Sequence, residues 1–428
     1  MDKNSLKQVV IAQSKEERIP GELVIREAYR AVEPFLETPQ VIILSGVRRS
    51  GKSTWMEVIR RRAAESDYYL NFDDERLATF QLEDCQSLVE VFIELYGIQK
   101  TFYFDEIQNL VGWERFVRRL HNEGKKIFVT GSNAELLSRE FGTRLTGRNI
   151  PLYLFPYSFY EYIQRQNENL LNEKHFGSTE VALIKKYFSE FKVLGGFPEY
   201  ILHQQKEYLR MLYENIIYKD VIVRNKILHA DTIKKLVYYL ASNNTKEFSY
   251  SALQKLLNIT SSNLVSEYCH YLENSFLCFA LKRYSFSVRK QIQSSKKMYF
   301  IDPALAECVG FRFSEDRGRM LENIVYLQLK RNNQYKDIYY HKEKKECDFV
   351  LCEALRVVEA IQVCADLQDP KTKDREIKGL LDAMRTYNLE RGLLITEEES
   401  GDETITEDGK EYYIKIVPAW GWLLRKSG

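Results

Sequence analysis

Over the first third of the chain, apolar residues fall in short dense runs separated by stretches of helical spacing. Val41-Ile-Ile-Leu44, Tyr68-Tyr-Leu-Asn-Phe72, Thr101-Phe-Tyr-Phe104 and Lys126-Ile-Phe-Val-Thr-Gly131 each read as a buried strand. Each run stops at polar or tight-turning residues: Gly46, Asp73-Asp74-Glu75, Asp105-Glu106 and Ser132-Asn133. The stretch 54–64 between the first two runs is helix-like, and 5–37 carries Leu6, Val9, Val10, Leu23, Ile25, Ala28 and Val32 at helical spacing, punctuated by Pro20-Gly21 and Pro34. Strands alternating with helices predict an α/β fold with a parallel sheet. In such a sheet ligands sit beyond the carboxyl ends of the strands, which gathers four distant polar segments into one site.

The pattern then changes. Residues 180–228 are helical, broken by the turn Gly195-Gly196-Phe197-Pro198; Arg224 on the last of these helices is within reach of a nucleotide only if it is not simply exposed. Helices over 233–241, 250–257 and 261–273, the last two joined by a turn at 258–260, precede strands over 277–284 and 298–301. Helix, turn, helix and hairpin in that order predict a winged helix-turn-helix. From 318 a helix bearing Glu322 leads to strands over 338–341, 347–351, 357–363 and 392–395, and the tail 417–424 reads as a final helix packed by its tryptophans. The expected division is 1–160 for the parallel-sheet domain, 161–228 for a helical lid, 229–310 for the winged helix and 311–428 for a last α/β domain.

A chain of 428 residues is long enough for two or three domains, each with its own core. Net charge is +1, so no global field draws it to nucleic acid or membrane, and any such binding rests on a local patch. Seven cysteines without a C-x-x-C pair suit reduced thiols, and no apolar run approaches membrane-spanning length; the reading is cytoplasmic.

The chemistry concentrates at Gly46, Val47, Arg48, Arg49, Ser50, Gly51, Lys52, Ser53 and Thr54. The spacing G-x-x-x-x-G-K-S lets the backbone curl so that N–H groups and a helix N-terminus face an anion, with Lys52 reaching the terminal phosphates and Ser53 offering its hydroxyl to magnesium. Asp105 is expected to hold Mg2+, directly or through water, and Glu106 to orient or activate the attacking water. Asn133 or Ser132 would align that water or the terminal phosphate. Arg148, or Arg144, is a candidate to stabilise charge on the transferred phosphoryl group, in cis or from a neighbouring subunit of a homo-oligomer. Each has a plainer reading: a solvated turn for Asp105-Glu106, a turn cap at Asn133, a capped helix start at Asp73-Asp74-Glu75, and a surface salt bridge for either arginine.

The hairpin region carries Lys282, Arg283, Arg289, Lys290, Lys296 and Lys297, a basic wing suited to DNA phosphates. The helix before it has two glutamates and no Arg or Lys, which argues against base reading; packing alone is the alternative use of the wing.

Gly46 to Thr54, Asn71-Phe-Asp-Asp-Glu-Arg-Leu77, Phe102-Tyr-Phe-Asp-Glu-Ile-Gln-Asn109, Val129-Thr-Gly-Ser-Asn133 and Leu145-Thr-Gly-Arg148 resemble the AAA-type ATPase module of a broad bacterial and archaeal group of uncharacterised ATP-binding proteins. In that group a winged helix and a domain similar to the restriction-endonuclease fold follow the ATPase. The resemblance covers nearly the whole chain and implies an ATP–magnesium site at the matching positions. The third module resembles restriction-type nucleases, whose third strand carries Glu-x-Lys; here Gln362 and Cys364 stand at those positions, and Glu359 falls on the opposite face from residue 362. With Asp348 and Glu322 as the remaining ligands, a nuclease-like fold without nuclease activity is expected. The overall expectation is a Mg-dependent ATPase driving a conformational switch. A non-hydrolysing ATP-binding scaffold and an ATP-regulated DNA nuclease are its rivals.

Overall fold

The computed structural model describes residues 1–16, 24–65, 67–134, 148–172, 176–311, 317–332, 337–407 and 409–425. They form two compact units, Met1–Pro156 with Asn274–Phe276, and Tyr157–Glu273 with Leu277–Gly428.

The first unit holds five strands: β1 Val41–Ser45, β2 Tyr69–Asn71, β3 Thr101–Asp105, β4 Lys126–Gly131 and β5 Asn149–Tyr153. All pairings are parallel, in the order β2-β3-β4-β1-β5. Because successive strand residues face opposite ways, one face of the sheet sends Ile43, Leu70, Phe104 and Val129 into a core with the helices Lys3–Ser14, Cys85–Tyr96 and Trp113–Asn122. The other sends Leu44, Tyr103, Phe128 and Leu152 against Trp55, Met56 and Ile59 of the helix Lys52–Arg62. Burial on both faces explains why these strands read as continuous apolar runs. The margin at β2 is closed by a side chain: the Gln13 amide donates to the Asn71 carbonyl at 3.1 Å and accepts from the Asn71 N–H at 2.8 Å, in the manner of a neighbouring strand.

The second unit contains a three-stranded antiparallel sheet, β6 Glu247–Phe248, β7 Cys278–Lys282 and β8 Lys296–Phe300, ordered β6-β8-β7. The helices Tyr250–Leu257 and Ser262–Asn274 precede the β7–β8 hairpin. A second sheet of six strands runs β13-β14-β12-β11-β10-β9, made of β9 Asp337–Lys342, β10 Glu346–Glu353, β11 Arg356–Val363, β12 Arg391–Thr396, β13 Gly401–Glu407 and β14 Lys410–Pro418. The tail differs from expectation: 410–418 is a strand, and only Ala419–Leu423 is helical, anchored by buried Ala419 and Leu423 while Trp420 and Trp422 are half-buried. Among the described residues no helix is long and apolar enough to cross a membrane.

The basic wing is corrected in two respects. The hairpin is interrupted by a short helix, Val288–Gln293, and its lysines are not all at the surface. Lys296 is 7% exposed, donating to the Ile292 and Ser294 carbonyls over the Tyr250 ring, and Lys297 is 3% exposed among carboxylates. Every residue of β8 is buried, so neither lysine is presented to a phosphate. Arg283 pairs with Glu343 at 2.9 Å, and the next residue, Tyr284, donates its N–H to the Tyr340 carbonyl of β9. Lys282, Arg289 and Lys290 remain exposed.

Candidate nucleotide site

Strand β1 delivers the chain to Gly46, where a side chain is excluded: a Cβ there would lie 2.1 Å from the Leu154 carbonyl oxygen. The loop then turns through Arg49 at φ +66° and Gly51 at φ +96°, left-handed backbone that glycine adopts most freely. The buried Arg26 guanidinium braces the crest, donating to the Ser50 carbonyl at 2.8 Å and to the Phe155 carbonyl at 2.6 Å. The loop opens directly into the helix Lys52–Arg62, whose N-terminus bears the positive end of the helix dipole. Lys52 is buried, and its ammonium donates to the Gly46 and Val47 carbonyls at 3.1 and 3.3 Å.

Asp105 and Glu106 arrive from the carboxyl end of β3. Asp105 is fully buried and accepts hydrogen bonds from the Tyr69 hydroxyl at 3.1 Å and from the hydroxyls of Thr130 and Ser53. Burial, then the neighbouring Glu106 charge, push its carboxyl above the usual range. Glu106 sits 3.3 Å from the Lys52 ammonium. Burial opposes its charge, but the Lys52 ammonium, with the Gln108 amide and Arg48, prevails and holds it below the usual glutamate value. Its backbone is in the left-handed region at φ +49°, which costs a non-glycine residue and is stabilised by its N–H donating to the Thr130 hydroxyl at 3.1 Å. The Gln108 amide bridges the Glu106 carboxylate and the Ser132 hydroxyl, the latter at 3.3 Å.

Residues 46–54, Asp105, Glu106, Ser132 and Asn133 thus meet at the carboxyl ends of β1, β3 and β4. The Asn133 carbonyl accepts from the Ser45 hydroxyl at 2.8 Å. Asp73 lies 3.7 Å from the Arg48 guanidinium, whereas Asp74 caps the short helix Glu75–Leu77 and is held well below the usual range by hydrogen bonding to Arg76. Arg148 is elsewhere: its carbonyl pairs with the Val41 N–H where β1 begins, and its guanidinium donates to Asn122 at 3.0 Å. It occupies the amino ends of the strands, one strand length, roughly 13 Å, from the loop. Within one chain it does not reach the site. Arg144 lies outside the described residues. Arg224 pairs with Asp220 at 3.3 Å in the second unit.

Four contributors were not singled out by sequence reasoning. Thr130 and Gln108 lie inside segments already read as motif, so their positions carried a signal. Tyr69 is one of several aromatics in a strand, and Arg26 is an isolated arginine 24 residues before Ser50 that only the fold brings near.

The group fits magnesium and polyphosphate. A serine hydroxyl beside a buried carboxylate is the oxygen set that Mg2+ takes together with water and phosphate. The Ser50 hydroxyl, buried in the crest, has no hydrogen-bond partner among the described residues.

Residues 38–163 match the family described as AAA domain, and residues 185–316 match a domain of unknown function, DUF8612. The chain is 34% identical over 409 residues to the uncharacterized protein MJ1544 of Methanocaldococcus jannaschii, covering 92% of this chain and 90% of that one. It is 27% identical over 421 residues to an uncharacterized protein of Haemophilus influenzae, covering 94% and 99%. Similar solved structures include a signal transduction ATPase with numerous domains from Pyrococcus horikoshii, at 13% identity and TM-score 0.27, over 73% of this chain and 46% of that chain, so less than half of that protein's length is spanned. Another is AMPPCP-bound DnaA from Aquifex aeolicus, at 16% identity and TM-score 0.28, over 59% and 89%.

Proposed function

The chain belongs to the family of the uncharacterized protein MJ1544 of Methanocaldococcus jannaschii and carries an AAA domain; from that premise we propose that it binds ATP with magnesium and hydrolyses it at the loop 46–54. The observation that carries this reading is the Lys52–Glu106 pair, 3.3 Å apart over the loop. A lysine serving triphosphate and a carboxylate serving water are both needed at the strand ends, and each is held by protein contacts. In the proposed cycle the triphosphate takes the Lys52 ammonium from the Gly46 and Val47 carbonyls, and the helix N-terminus and loop N–H groups accept its charge. Ser53 and Asp105 would hold magnesium, which supplies charge neutralisation between the phosphates when bound. Glu106, ionised, orients a water for in-line attack on the terminal phosphorus and takes its proton; the bond to the bridging oxygen breaks, leaving ADP and phosphate. Ser132 and Asn133 align that water or the terminal phosphate.

Glu106→Gln should keep ATP affinity and lower phosphate release by a hundredfold or more, on the order expected for loss of a general base. An unchanged rate would sink the catalytic role and leave a non-hydrolysing switch. Contact with DNA rests on Lys282, Arg289 and Lys290, the wing residues still exposed. Reversing their charges should weaken binding and flatten its salt dependence; an unaffected salt slope removes DNA from the reading.

A further inference from the structure

In the second unit, three elements bring one lysine into a nest of carboxylates. Lys297 of β8 places its ammonium 3.0 Å from Glu322 of the helix Arg317–Asn332, 3.0 Å from Asp348 of β10, and 2.8 Å from Glu346 at the start of β10. Further donors engage the same cluster. The same Glu322 oxygen accepts from the Tyr299 hydroxyl at 2.6 Å, and the second Asp348 oxygen accepts from the Val363 N–H at 3.0 Å. Gln362 of β11 accepts from the Asp348 N–H at 3.2 Å and donates to Glu376 at 2.6 Å. The second Glu346 oxygen takes Lys342 at 3.2 Å.

Glu322 and Asp348 are the two positions at which a metal-dependent nuclease of the resembled type would ligate its ion, and the residues present do not fit one. A divalent cation would have to lie about 2.0–2.6 Å from these same oxygens, in the space the ammonium fills. All three ammonium donors are spent on three carboxylates, whereas a lysine that positions water stands beside the metal, with a donor to spare. At the third-strand position that the resembled motif fills with a carboxylate, Gln362 brings an amide. Among the described residues, no group of three or more His, Cys, Asp and Glu side chains is arranged to hold a metal ion.

We propose that Lys297 is the resident cation of this carboxylate cluster, a tethered ammonium in the place of a divalent ion. The domain consequently takes no metal there and cuts no DNA. The ammonium instead ties the β7–β8 hairpin to the helix Arg317–Asn332 and to the six-stranded sheet. It is buried and fully paired, so its removal leaves uncompensated negative charge that a soluble divalent ion can neutralise.

The test uses the full chain without nucleotide, with manganese as probe. In the wild type, electron paramagnetic resonance titration should find no bound manganese that Asp348→Asn removes, and supercoiled plasmid should show no nicking that depends on Asp348. Lys297→Ala should melt lower by roughly 10 °C, and manganese should restore at least half of that shift. Lys297→Ala combined with Asp348→Asn should show no such recovery. Asp348-dependent manganese binding or nicking in the wild type overturns the proposal and makes Lys297 part of a live metal site. So does a Lys297→Ala chain that melts like the wild type, or one that stays destabilised or unfolded whatever manganese is added.

Discussion

Asp302 explains a turn that the sequence offers only as Gly-Gly-Phe-Pro. Its carboxylate lies so close under Gly195 that a Cβ there would stand 2.3 Å from both oxygens, and it accepts the Gly196 N–H at 2.6 Å and the Leu305 N–H at 3.0 Å. Burial nevertheless outweighs these hydrogen bonds and pushes the carboxyl up from 3.8 to about 6. A folded value above the unfolded one means that the folded state binds the proton more tightly. This contribution to stability is therefore full below the unfolded value and is lost as pH rises through about 6. The stability gap between the wild type and Asp302→Asn should shrink by about 3 kcal/mol between acid and neutral pH, measured by urea unfolding at each pH; a constant gap would contradict the shift. At this scale the course of the loop 46–54 was legible because glycine spacing, lysine and strand ends each leave a mark in the chain. Lys297 was not, since its carboxylate partners lie 25 to 51 residues away and a lysine in a basic stretch reads as solvated. Arg26 left no mark for the same reason.

Among the elements, the helix Lys3–Ser14 covers one face of the parallel sheet, and through Gln13 it also completes the sheet's margin. Besides its two bonds to Asn71, the Gln13 amide donates to Asp74 at 2.9 Å. Gln13→Ala should cost about 1–3 kcal/mol, as expected for backbone groups left unpaired on a largely buried edge. Hydrogen exchange should show the Asn71 amide losing protection first; unchanged exchange there would mean that water replaces the side chain without penalty. The parallel strands were readable because burial on both faces makes them continuously apolar. Strands β13 and β14 were missed because Asp402, Glu403, Glu407, Lys410 and Glu411 dominate their composition, and the one-sided alternation of Tyr412, Ile414 and Ile416 is short. The hairpin was placed correctly along the chain, but its lysines were assigned to solvent. β8 is covered on both faces, a tertiary fact with no local trace.

On the scale of the whole molecule, the two compact units should unfold as two calorimetric transitions. Saturating ATP with magnesium should raise only the one belonging to the nucleotide loop, by about 2.7 kcal/mol at a hundredfold excess over Kd; a single transition shifting as one would show the units to be energetically inseparable. The position of Arg148 at the amino ends of the strands makes a further prediction. Arg148→Ala should change the ATPase rate by less than about threefold, against the thousandfold or more that follows loss of a charge-stabilising arginine. A large loss that grows on dilution would instead assign it to a neighbouring subunit. The sheets also share a property that matters to a cell making many copies of this chain. Open strand margins are templates for runaway pairing between molecules, and each long margin here is blunted by a different device. Gln13 closes β2, Pro151 deprives β5 of a donor, the Tyr284–Tyr340 hydrogen bond occupies part of β9, and Asp402, Glu403 and Glu407 set charged side chains along β13, Glu403 paired with Lys373 and Glu407 with Arg385. Resistance to fibril formation is therefore expected from four places at once, and neutralising the acidic margin alone should leave the chain dispersed.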